Sequence, residues 1–76
     1  MNKENRKELE KAISLIEDAK QIIESIKDDE QDKFDNLPEG LQQSERGEKF
    51  EENVSVLDDA LSQLEEVIDN ISTATE

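Results

Sequence analysis

The sequence predicts an all-α fold, an antiparallel helical hairpin, and three observations carry that prediction. Apolar side chains recur at steps of three and four in both halves of the chain. The only Pro, Pro38, separates the halves, and no Gly or Pro interrupts residues 48–76. With 76 residues the chain has room for one domain, 1–76, around a thin core.

The first helix is expected over about residues 3–30. Leu9, Ile16 and Ile23 share one heptad position, and Ala12, Ala19 and Ile26 are read as the second core column, with Leu15 and Ile22 beside them. The second helix, about 44–72, is more regular. Phe50, Leu57, Leu64 and Ile71 recur every seven residues, Val54, Leu61 and Ile68 do the same, and Ala60 and Val67 form a third column. Ser44 is its expected N-cap. The connection, 31–43, should hold a short helical turn, with Asn36 and Glu39 as a capping box and Pro38 in the first turn, where its missing N–H is not needed.

Similar helix lengths and a reversing connection set the helices antiparallel. The heptads suggest Leu9 opposite Ile71, Ile16 opposite Leu64 and Ile23 opposite Leu57, which centres the hairpin on Gly40. In that register Lys3, Arg6, Lys7 and Lys11, which oppose the dipole of their own helix, would lie beside Glu65, Glu66 and Asp69. The apolar stripe is wider than a two-stranded seam uses. A homodimer forming a four-helix bundle is therefore expected, with Leu9, Ile16, Ile23, Leu57, Leu64 and Ile71 as core and dimer residues. Docking on a different protein is the other way to cover the stripe.

Charge narrows the function classes. Lys and Arg total 9 against 22 Asp and Glu, for a net charge of −13. A chain so acidic is not expected to bind nucleic acid directly or to adsorb to an anionic membrane surface. The absence of Cys and His removes thiolate and imidazole chemistry. No cofactor, metal site or catalytic residue is expected, so the reading is non-enzymatic. The N-terminal stretch lacks the apolar segment of a signal peptide, and a cytoplasmic location is the expectation. Asp28, Glu30, Asp32 and Glu39 have calcium-loop spacing, but Lys33 stands where such a loop needs Gly. Glu48, Glu51, Glu66 and Asp69 loosely match a magnesium-binding carboxylate pattern, yet both pairs fall on one helix, too far apart to converge.

Two features are candidates for partner binding. Glu51-Glu52, Asp58-Asp59 and Glu65-Glu66 repeat every seven residues, and no cation follows Lys49. Such a rod of carboxylates could imitate a phosphate backbone and occupy a basic protein surface; equally, heptad helices place soluble residues at outer positions. The second candidate is the connection, where Phe34, Leu37 and Leu41 stand among Asp35, Asn36 and Glu39. It reads either as a hydrophobic plug or as a presented recognition loop. Arg46 is expected to clasp Asp35 or Glu39.

The run FDNLPEGLQ, Phe34 to Gln42, ahead of an acidic helix resembles an (F/Y)DN(L/M)PExLQ core in small uncharacterised proteins of phages and prophages of Gram-positive bacteria. The resemblance covers about residues 30–70. It implies a viral origin and a setting inside the host bacterial cell, and it brings no known activity. It favours an inhibitor or decoy directed at a host protein, with a structural or assembly homodimer as the alternative.

Overall fold

The computed structural model describes residues 1–76 and contains three helices: α1 (Lys3–Asp35), α2 (Glu39–Gln42) and α3 (Glu45–Ala74). The two long helices pack along their length, joined through the short α2, in a rod of 58 × 15 × 13 Å. No helix is long and apolar enough to cross a membrane.

Helix α1 begins where the Asn2 side chain accepts a hydrogen bond from the Asn5 N–H (2.8 Å). It runs five residues past the expected end at 30. Nothing before Pro38 breaks it, and two four-residue pairs brace its last turns, Lys33 with Asp29 (3.1 Å) and Gln31 with Asp35 (3.0 Å). Asn36 closes α1 as its C-cap rather than opening α2, whose N-cap is Pro38 without a side-chain bond. The capping-box expectation fails because α1 extends into the residues it would have used. Ser44 caps α3 as expected, accepting from the Gly47 N–H (3.4 Å).

The seam between α1 and α3 has two columns on each helix. On α3 they are Phe50, Leu57, Leu64, Ile71 and Val54, Leu61, Ile68, all half-buried. On α1 the first is Leu9, Ile16, Ile23 and Glu30, but the second is Ile13, Lys20, Lys27 and Phe34. Ala12 stays half-buried at the edge, while Ala19 and Ile26 are exposed. The physical reason is amphipathic: Lys20 and Lys27 lay their methylene stems along the seam and carry the ammonium groups outward. Their side chains are 21% and 24% exposed, against 53% for Lys33 on open helix surface.

Those two lysines also report the register. Leu9 opposite Ile71 would set Lys20 against Ala60 and Lys27 against Asn53. Lys20 instead pairs with Glu65 and Lys27 with Asp58 (3.2 Å), five residues further along in both cases. Lys3, Arg6, Lys7 and Lys11 take part in none of the four ion pairs. No side chain in the protein is fully buried; the one buried residue is Gly47.

Candidate interaction surfaces

Reversing one helix of a pair turns its flanks over, so equivalent heptad positions of antiparallel helices fall on the same side of the seam. The hairpin therefore has two flanks, and they differ in chemistry.

On one flank the positions beside the seam are Glu10, Glu17 and Glu24 of α1 and Glu51, Asp58 and Glu65 of α3, all exposed. Glu17 and Glu24 share a shallow groove with Lys20 and Glu65. The groove continues along Lys27, Asp58 and Leu61. Of the carboxylate doublets, the first members face this groove, and two of them are engaged across it, Glu65 by Lys20 and Asp58 by Lys27. The second members, Glu52, Asp59 and Glu66, point outward; only Glu52 has a cation near, Lys49 at 3.9 Å. The doublets thus divide into an inner row, two of whose members pair across the hairpin, and an outer row that faces solvent.

The other flank carries no charge through its middle. On α1 it consists of Ala12, Leu15, Ala19, Ile22 and Ile26, with Leu15, Ile22 and Ile26 respectively 61%, 63% and 49% exposed. On α3 its apolar members are Val56, Ala60, Val67 and Ala74, separated by the amides Asn53, Gln63 and Asn70. Toward the connection the flank becomes charged, where a shallow groove is lined by Glu30, Lys49 and Glu52 together with Asn53, Val56 and Leu57. Glu30 sits in the seam there, and its Oε2 is buried without a hydrogen-bond partner.

The connection is held from inside. Phe34 and Leu37 are half-buried and Leu41 is half exposed, while Asp35, Asn36 and Glu39 face solvent. The Gln42 amide donates to the carbonyls of Phe34 (3.4 Å) and Leu37 (3.3 Å), and the Ser44 hydroxyl donates to the carbonyl of Leu41. Gly47 permits the fold-back. A Cβ there would lie 2.7 Å from the Leu41 carbonyl oxygen and 2.6 Å from the Gln42 carbonyl carbon, closer than atoms can pack. Arg46 does not reach Asp35 or Glu39; its guanidinium lies 5.8 Å from the centre of the Phe50 ring, a cation–π contact. Asp35 is already taken by Gln31.

Sequence reading missed Gly47, the two seam lysines and Glu30. A signal for the lysines existed: in the same column Ile13 stands one heptad before Lys20 and Phe34 one heptad after Lys27. Asp28, Glu30 and Asp32 all lie on continuous helix, so they do not wrap a cation as a loop would. Asp29 accepts a hydrogen bond from Lys33 and, with Glu30, surrounds it with negative charge, which holds the Lys33 ammonium above the ordinary lysine value. No family model matches the chain, and no curated protein or solved structure matches it either.

Proposed function

We propose that this chain is a non-catalytic, phage-encoded protein-binding module that works as a homodimeric four-helix bundle in the cytoplasm of the host bacterium. It acts stoichiometrically, as an inhibitor or decoy, by presenting carboxylates to a basic surface of a host protein. The observation that carries this reading is the outer acidic row. Glu52, Asp59 and Glu66 recur about 10.5 Å apart along one rigid helix; Lys49 lies 3.9 Å from Glu52, and Asp59 and Glu66 have no ion-pair partner. A row of that kind attracts a groove built for phosphates, and it does so without reorganising. The connection, with Leu41 exposed beside Glu39, borders the same end and supplies an apolar contact.

The second reading is an assembly homodimer whose acidic faces only confer solubility, and the exposed Leu15, Ile22 and Ile26 favour it. Salt separates the two. Protein captured from bacterial lysate on the immobilised chain is eluted between about 50 and about 200 mM salt, with a DNA duplex as competitor. A carboxylate decoy loses at least about tenfold in affinity over that range and is displaced by the duplex. Binding indifferent to both salt and duplex would leave the assembly reading in possession.

A further inference from the structure

We infer that the uncharged flank is the face on which a second copy of this chain docks, α1 lying antiparallel on α1 of the other copy, with the two-fold axis passing between Ala19 and Ile22. The inference rests on the homodimer in the reading above and says where that dimer forms. The seam cannot be the dimer interface, because Leu9, Ile16, Ile23, Leu57, Leu64 and Ile71 are already occupied within one hairpin.

Charge selects the occupant. Each copy carries −13, so two copies can approach closely only through a face without acids. The acidic flank and the outer carboxylate row both exclude a second copy. The remaining flank is free of charge from Ala12 to Ile26 on α1 and from Asn53 to Ala74 on α3, with Glu52, Asp59 and Glu66 confined to its rim. Apolar centre and charged rim are the anatomy of a protein interface.

Size sets a small interface. The uncharged stretch runs about 21 Å along α1 and about 32 Å along α3; at 15 Å across it presents on the order of 400 Å², about half of what each partner contributes to a standard-sized complex. Burial gives the motive: the seam alone leaves no side chain fully buried, and a chain of this length depends on every apolar contact it can close.

Pairing of α1 with α1 follows from the pattern. A two-fold interface must be complementary to itself. Leu15, Ala19, Ile22 and Ile26 satisfy that: Ile22 of each copy faces Ala19 of the other, and Leu15 faces Ile26, so large side chains meet small ones at the centre. Packing α1 on α3 would instead press the same side chains onto Gln63 and Asn70. In the self-paired arrangement the axis crosses α3 beside Gln63, so Gln63 meets Gln63 of the other copy, where two amides can donate and accept to one another, while Asn70 falls opposite Val56 and Ala60 and Asn53 opposite Ala74.

Sedimentation equilibrium on the full chain tests this, with single cysteines added to a protein that has none. The expected result is a dimer of the 8.7 kDa chain. Ala19→Cys should then form a disulfide or short-linker crosslink between copies, and Gln21→Cys, at the same height on the acidic side, should not. Ile22→Asp should weaken the dimer by at least about a hundredfold. A helical monomer overturns the inference and leaves the salt-dependent acidic-row reading to be judged separately. A dimer that Ala19→Cys does not crosslink overturns the interface while keeping the dimer. Because the cysteine variants keep every apolar group except one methyl, they decide the matter even if Ile22→Asp unfolds.

Discussion

The two flanks of the hairpin are built from the same heptad repeat and end up with opposite chemistry. On the acidic flank every position next to the seam is Glu or Asp except Lys3, Gln31 and Ser72; on the other, none is charged between Ala12 and Ile26 or between Asn53 and Ala74. Average properties hide this. A mean hydropathy of −0.94 and 41% charged residues describe a chain polar all round, yet the charge is sorted to one side. The lesson is that a short acidic helix pair can place carboxylates along one flank and exposed apolar side chains along the other, with one narrow line of residues keeping the two characters apart.

That line is the seam, and removing it gives the largest effect. Leu64→Asp places a carboxylate between Ile16 and Lys20 on one side and Leu61 and Ile68 on the other. We expect a loss of about 3 kcal/mol, enough to abolish the helical circular-dichroism signal of so small a domain, whereas Glu66→Gln should stay within about 0.5 kcal/mol. A silent Leu64→Asp would mean that the flanks are not separated where the structure puts them.

Gly47→Ala comes next. The methyl group would meet backbone carbonyls rather than a flexible side chain, so the connection has to move, at a cost of about 2 kcal/mol. A thermal melt should show it, with the midpoint lowered by several degrees; an unchanged midpoint would show that the fold-back is loose.

The smallest effect sharpens the contrast. Glu30 is the carboxylate that intrudes from the seam toward the uncharged flank, and its Oε2 lacks a partner. Glu30→Leu relieves an unmet polar group and extends the apolar line, so stability should rise by about 1 kcal/mol, read as a higher urea midpoint with unchanged slope. A decrease would reveal a partner for that oxygen.

Much of the fold is legible in the sequence, and the parts that are not share a cause. The α3 columns, the Ser44 cap and the reversal near Pro38 depend on spacing and local chemistry, which a linear reading captures. The second α1 column is obscured because Lys20 and Lys27 count as polar, although most of each side chain is hydrocarbon. With that column misassigned to Ala12, Ala19 and Ile26, the residues of the outer flank are absorbed into the core and the register drifts toward the connection. Gly47 is invisible for a different reason: what it touches, the carbonyls of Leu41 and Gln42, comes near only once the chain has turned. For the candidate surfaces, the doublets are visible as a repeat. Which member of each pair is spent on Lys20 or Lys27 depends on the register and therefore is not.

The close approach at Gly47 has a consequence for how one alignment is chosen among several. A heptad seam is nearly invariant under translation by seven residues. Slide α1 by one repeat and Lys20 meets Asp58, Lys27 meets Glu51, and Leu and Ile still face Leu and Ile. The long helices are therefore almost degenerate in their preference, and neither the apolar columns nor the ion pairs break the tie. The tie is broken at the closed end, where α2 fits against α3 only if residue 47 has no side chain. One missing methyl group thereby selects which copy of a repeating pattern is the native one.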